Sequence, residues 1–164
     1  MTRFLLLCQV AVGLIAVTSL ELVGAAAART TTTVPARGSA SGQVILQINP
    51  TPENPVGVQV YTAAGKSSLL GGYTQTGITL FTADGDVTGT AVWTTSDGST
   101  FSFDYTGTVT PIPGTTDFLF DLEAVGGVGT GRLAGVTADI AGQVVLDGLT
   151  GAFHYDFGGV WILP

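Results

Sequence analysis

The chain holds one histidine, His154, and Asp156 follows it two residues later. An imidazole with a carboxylate and a serine could run nucleophilic acyl chemistry, with Asp104 and Asp121 as the other acids open to such a system. That chemistry usually rests on a Gly-x-Ser-x-Gly elbow; none is present, and the serines fall mainly at turns. One imidazole also excludes a multi-histidine metal centre. His154 therefore reads first as an ordinary residue on the wet face of a strand. Asp121 with Glu123, or Asp104 with Asp121 across strands, could form a carboxylate pair for acid–base work. Any antiparallel sheet with one face in water yields the same pattern without a function. Asp84-Gly85-Asp86 offers oxygens to calcium, but Asp-Gly is also a hairpin turn and no EF-hand spacing accompanies it. No residue is assigned to catalysis or to a metal.

Gly129-x-Gly131-x-x-Ala134 has the spacing of a dinucleotide-binding turn. That role needs a helix directly after it, whose N-terminus holds the pyrophosphate. Gly135, β-branched Val136 and Thr137 lead into a strand pattern instead, so no cofactor is expected. Arg132 is one of five cationic residues; it is expected to cap an end of the domain by pairing with a carboxylate such as Asp139. The remaining material for a site is aromatic. Phe101, Phe103 and Tyr105 share one side of a strand, with Ser102, Asp104 and Thr106 on the other. Phe118, Phe120 and Leu122 oppose Asp117, Leu119, Asp121 and Glu123 in the same way, and Phe153, Tyr155 and Phe157 oppose His154 and Asp156. With Trp93 and Trp161 nearby, these rings are enough to fill, or partly line, the inside of a small barrel. Trp93, Phe101, Phe103, Tyr105, Phe118, Phe120, Phe153 and Tyr155 are the candidate lining of a cavity for a small apolar ligand.

The elements that would position these residues are strands. Val44 to Ile48, Gly57 to Ala63, Ile78 to Ala83, Val87 to Thr95, Ser99 to Thr110, Asp117 to Val125, Ala138 to Asp147 and Thr150 to Phe157 alternate with period two. Val160 to Leu163 closes the chain after Gly158-Gly159. Asp84-Gly85 and Asp97-Gly98 mark hairpins, and Pro111 to Gly114 ends a strand. Regular turn signals without helix caps indicate an all-β sandwich or barrel over residues 43–164. Ahead of it, Arg29 to Gly42 is small, polar and punctuated by Pro and Gly, and reads as a flexible leader.

Met1-Thr2-Arg3, the apolar run from Phe4 to Leu20 and the tract Gly24 to Ala28 form the three parts of a secretory signal peptide. Residues 1–28 are expected to be removed by cleavage after Ala27 or Ala28, giving a secreted, periplasmic or envelope protein. Glu21 sits where a retained anchor should still be apolar. The only cysteine, Cys8, leaves with that segment, so disulfides, thiolate metal sites and Cys nucleophiles are not expected. A net charge of −7 with five Lys plus Arg leaves no electrostatic footprint for nucleic acid, or for a membrane surface once the signal is gone.

Gly129-Thr130-Gly131-Arg132-Leu133-Ala134-Gly135-Val136 resembles the Gly-Thr-Gly-x-Phe-Ala-Gly-Ala/Val turn of the allene oxide cyclase-like and dirigent-like barrels. In that superfamily the turn precedes a glycine-containing strand, matched here by Ala141-Gly142-Gln143-Val144. Gly129, Gly131, Arg132 and Gly135 carry the likeness, which extends over Thr88 to Val160; Leu133 stands where the family has an aromatic residue. The resemblance implies an eight-stranded antiparallel β-barrel with a central cavity, and transfers no catalytic residue. The expected function is binding of a small apolar or amphipathic ligand or an extracytoplasmic structural role, with an isomerase- or cyclase-like enzyme as the alternative.

Overall fold

The computed structural model describes residues 31–164. The signal segment with Cys8, Ala27 and Ala28 lies outside the described residues. Nine strands follow in order: β1 (Thr32–Ile48), β2 (Val56–Ser67), β3 (Gly71–Thr82), β4 (Asp86–Thr95), β5 (Thr100–Pro111), β6 (Phe118–Gly126), β7 (Val128–Gly129), β8 (Thr137–Leu146) and β9 (Ala152–Leu163). All pairings are antiparallel, and the sheet closes through β1–β9 and β4–β5. The result is an eight-stranded meander barrel, since β7 is the continuation of β6 along β5. Between Glu123↔Thr106 and Val128↔Ser102 the β6–β7 side carries one extra residue. Gly126 and Gly127, at φ 94° and 103°, absorb it as a bulge.

The leader expected over residues 29–42 is overturned from Thr32 onward. That stretch is the first half of β1, paired with β9 from Thr32↔Leu163 to Gln43↔Ala152. Its inward positions are Val34, Ala36, Gly38, Ala40 and Gly42, and Ala36 and Ala40 are buried at 1% and 3% exposure. Small inward residues are what this strand needs, because Phe157, Tyr155 and Phe153 of β9 stand directly opposite Gly38, Ala40 and Gly42. Two further segments are longer than alternation indicates: β2 runs on to Ser67, and β3 begins at Gly71. Gly158-Gly159 does not break β9, whose register with β8 is continuous; Gly159, at φ 144°, bends the strand within the ladder.

Large rings repeatedly face glycine across the ladder. Phe157 pairs with Gly38, Phe153 with Gly42, Phe81 with Gly57, Tyr61 with Gly77 and Tyr105 with Gly89. At each of these glycines a Cβ would collide with the partner's ring. The rings therefore lie flat over backbone and fill the barrel sideways. Trp93, Trp161 and Phe101 are almost fully buried, and burial of each contributes roughly 2–3 kcal/mol. Trp93 is the hub, with ring centroids 4.8 Å from Phe103, 4.9 Å from Tyr73 and 5.0 Å from Phe157.

The outer wall divides in two. Asp104, Asp121, Glu123, Asp139 and Asp156 project from β5, β6, β8 and β9 and are exposed. Toward one end of β1 to β3 the outward positions are aliphatic, while the rest of the same outer faces carries Arg37, Ser41, Thr62, Lys66, Thr74 and Thr76. Register aligns Leu46, Val60 and Ile78 in one row and Ile48, Val58 and Leu80 in the next. A bulge at Ile45 turns Leu46 and Ile48 outward, where they are half exposed.

Gly77→Ala and Gly89→Ala should each cost about 1–3 kcal/mol in urea unfolding, because the added methyl meets both a tyrosine ring and a strand carbonyl. Gly72→Ala has open space around it and should be neutral or gain up to about 1 kcal/mol. Equal midpoints for all three would contradict the ring-over-glycine packing.

Candidate functional site

One end of the barrel is sealed by the glycine-rich segment. After the bulge, Thr130 N–H donates to the Thr100 carbonyl at 2.8 Å, and Gly131–Leu133 makes a single 3-10 turn. Leu133 and Val136, at 1% and 4% exposure, plug the opening beside Leu70 and Trp161. No longer helix follows, so the dinucleotide-like spacing at Gly129 and Gly131 holds no phosphate cradle. Gly135, at φ 79°, turns the chain into β8. Arg132 lies at this end, but its partner is Asp97 rather than Asp139. Nε stands 3.0 Å from an Asp97 oxygen, and the guanidinium donates to the carbonyls of Leu69 (3.3 Å) and Leu70 (2.8 Å). Thr95 and the Ser99 backbone N–H also donate to Asp97. These bonds, the Thr95 hydroxyl foremost and Arg132 last, hold its carboxyl down at about 2. Three turns are thus tied together over a closed base.

Above that base the barrel keeps a cavity of about 100 Å³. Its wall has two characters. Phe103, Phe120, Leu122, Val144, Leu146 and Phe153 supply an apolar side. Tyr61, Gln75, Thr79, Tyr105, Tyr155 and Gln59 supply a side that is polar and uncharged. The one charged residue on its border, Glu123, occupies an exposed outer position on β6. Of the candidate rings, Trp93, Phe103, Tyr105, Phe120, Phe153 and Tyr155 border the cavity. Phe101 does not: it is packed against Trp161 at 5.2 Å in the closed base. Phe118 does not either, lying 36% exposed at the start of β6. The polar half was missed because β2 and β3 carry it through Gln59, Tyr61, Gln75 and Thr79. Period-two spacing of Gln59 with Tyr61 and of Gln75 with Thr79 is the signal that could have found it.

The polar side is cross-linked internally. Tyr73 and Tyr155 hydroxyls are 2.9 Å apart, Tyr155 donates to Gln75 Oε1, and Gln75 Nε2 donates to Tyr61 at 2.9 Å. Thr79 and Tyr105 hydroxyls lie 2.6 Å apart. Burial is the leading cause that pushes all four phenols up, Tyr73 to about 12 and Tyr61 and Tyr155 further. They are donors at neutral pH, never bases. The indole N–H of Trp93 makes no hydrogen bond of normal geometry; its nearness to the Tyr155 phenol eases that group's ionisation only slightly.

Other chemistry-bearing residues are outside the cavity. His154, Asp104, Asp121 and Glu123 all face outward and are exposed. Register brings Ser41 opposite His154, with Oγ 3.0 Å from Nδ1, while Nε2 lies 3.5 Å from an Asp156 oxygen. This Ser-His-Asp row sits on an open strand face, with His154 57% exposed and backbone N–H groups committed to the ladder. The row borders a broad, open concavity of the outer wall that Asp121, Glu123 and Gln143 also line, but with these backbone N–H groups paired in the ladder it presents no oxyanion hole for acyl transfer. Asp104 and Asp121 are not cross-strand partners: Asp121 faces Thr108 and Gln143 and accepts from Gln143 at 2.7 Å. Asp84-Gly85-Asp86 is a hairpin turn, with Gly85 at φ 93° and its carbonyl accepting from Val109. Among the described residues no group of three or more His, Cys, Asp or Glu side chains is placed to hold a metal.

The buried phenols set the alkaline limit of stability. Their folded ionisation lies above the unfolded value of 10.0, so their contribution is fully present below pH 10 and is lost as pH rises above it. The four are all the tyrosines of the chain. Ultraviolet titration should therefore show less phenolate at pH 10.0 than four free tyrosines would give, with ionisation at higher pH accompanied by loss of near-ultraviolet circular dichroism. Separate titration of any one near pH 10 in the folded state would contradict their burial. No protein-family model, curated protein or solved structure matched the chain, so the cavity is interpreted from its own geometry.

Proposed function

We propose that this barrel binds a small, uncharged, amphipathic molecule in its interior. The cavity carries the reading: its wall is mainly aromatic and aliphatic with a few hydroxyl and amide groups, no Lys or Arg lines it, and Glu123 at its border occupies an exposed outer position. A carboxylate or ammonium ligand would be desolvated there without a counter-charge, at a cost of several kcal/mol. Neutral molecules lose only water, and the apolar wall returns about 25 cal/mol for each Å² it covers. A void of about 100 Å³ is somewhat smaller than the roughly 150 Å³ that takes up benzene in another protein, which limits the buried part of the ligand to a few heavy atoms.

The cyclase-like alternative has less support. Its acid–base groups would have to be Asp104, Asp121, Glu123 or His154, and each faces outward. Only the phenols remain beside the cavity, and they can orient a substrate without taking a proton from it. Membership in the allene oxide cyclase-like superfamily is supported by the glycine turn at 129–136 and by the closed eight-stranded barrel. Export is supported by the pattern of residues 1–28.

Native mass spectrometry of protein from its own host, followed by a thermal-shift screen of small alcohols, ketones and terpenoids, tests the reading. A co-purified neutral adduct, or a rise in Tm that Val144→Phe abolishes by filling the cavity, is the expected result. No adduct and no shift in repeated preparations would leave a structural role in place of a carrier.

A further inference from the structure

At one end of β1 to β3 the hydrophobic pattern is inside out. Gln47, Gln59 and Thr79 pair side by side, and Gln59 and Thr79 are buried at 6% and 5% exposure. The rows on either side of them point outward: Leu46 with Val60 and Ile78, and Ile48 with Val58 and Leu80. A sheet with one wet face normally turns its aliphatic side to the core and its polar side to water. Here the interior takes amides and a hydroxyl, while Leu46, Ile48, Ile78 and Leu80 are each 40% exposed or more. Ile45, Val56 and Val92, also exposed, widen the same patch. A monomer's largest apolar patch covers roughly 300–600 Å². Seven such side chains on neighbouring strands bring this one to the upper end of that range.

Charge selects what covers it. The carboxylates of the outer wall project from β5, β6, β8 and β9, so those flanks repel a second copy of a chain that carries −7. The outer faces of β1 to β3 carry no carboxylate. Arg37 and Lys66 stand at one end of these strands, and Glu53, Asp84 and Asp86 lie exposed at the other, beyond the rows. A two-fold axis running across the strands through the rows lays each acidic end toward the partner's basic end. The same axis points the acidic flanks of the two copies away from each other. A lipid surface is a poorer match: three carboxylates border the rows, and every Trp and Tyr of the chain is buried rather than set beside them.

We propose that this face is the interface of a homodimer, in which the aliphatic rows of two copies pack sheet on sheet. A stable pair needs about 800 Å² from each partner. The rows supply the dry centre, and Thr62, Thr74 and Thr76 beside them supply the polar rim. Each copy then buries against its partner the aliphatic side chains that its own interior leaves outside.

Sedimentation equilibrium of the chain purified from its own host tests the interface, with dimer as the expected species. Ile78→Lys places a charge in the dry centre and should leave monomer at concentrations up to about 100 μM. Ile78→Thr keeps a β-branched residue beside Thr90, its partner on β4, and should raise the dimer Kd about tenfold. Val128→Lys, at a 68% exposed site outside the patch, should leave Kd unchanged. Near-ultraviolet circular dichroism checks the fold of each variant, and Ile78→Thr carries the test even if the lysine variant folds poorly. A native chain that is monomeric at about 100 μM overturns the proposal. So does a dimer that neither Ile78 variant weakens, or a monomer that floats with phosphatidylcholine vesicles.

Discussion

A ring lying flat over a glycine in the next strand is the contact on which this barrel depends. It recurs at Gly38, Gly42, Gly57, Gly77 and Gly89, each directly paired with its aromatic partner. The pairing pins register, since a slip of one residue would drive a Cβ into the ring and turn each ring out of the barrel. It also fixes where the rings go. A phenol that crosses the neighbouring strand presents its hydroxyl far from its own backbone, so Tyr61 and Tyr105 reach the middle of the wall. The same arrangement that holds the strands together places the polar groups.

Those polar groups show how a small barrel can bury hydroxyls and amides by pairing them with one another. Eight strands leave barely enough interior for side chains, and Trp161, Phe101 and Leu133 fill the closed base with Trp93 between it and the cavity. The hydroxyls and amides above them are satisfied by one another, which avoids the penalty of about 1–3 kcal/mol for each unpaired buried group. A network closed in that way is rigid.

Strands β4, β5, β6, β8 and β9 are legible in the sequence because their inward residues are mostly apolar and their outward residues mostly polar, whereas the two-residue β7 is hidden in the glycine-rich turn. The inward faces of Phe101 to Tyr105 and Phe118 to Leu122, and the outward faces of Asp104, Asp121, Glu123 and His154, follow from that contrast. The first half of β1 gives no such contrast: Ala36, Gly38, Ala40 and Gly42 inward, against Arg37, Ser39 and Ser41 outward, look like a linker. Its order comes from rings more than a hundred residues away, which no local window contains. The same applies to the site. Tyr61, Gln75 and Thr79 lie on strands whose glycines hide the alternation, and Ser41 meets His154 only through register. The sealing turn shows the reverse case: Arg132 is recognisable as a cap, while its partner Asp97 depends on which hairpin lies beneath it.

The division of the outer wall has a consequence of another kind. With carboxylates on β5, β6, β8 and β9, and with Arg37 and Lys66 beside the aliphatic rows on β1 to β3, the molecule is a transverse electric dipole: one flank is acidic and the other is weakly basic. Within a Debye length of about 8 Å in physiological salt, such a body does not tumble freely near a cationic surface. It turns its acidic flank inward and displays the aliphatic rows to whatever approaches from outside. Rising salt releases it, so its orientation is set by ionic strength while its interior chemistry is not.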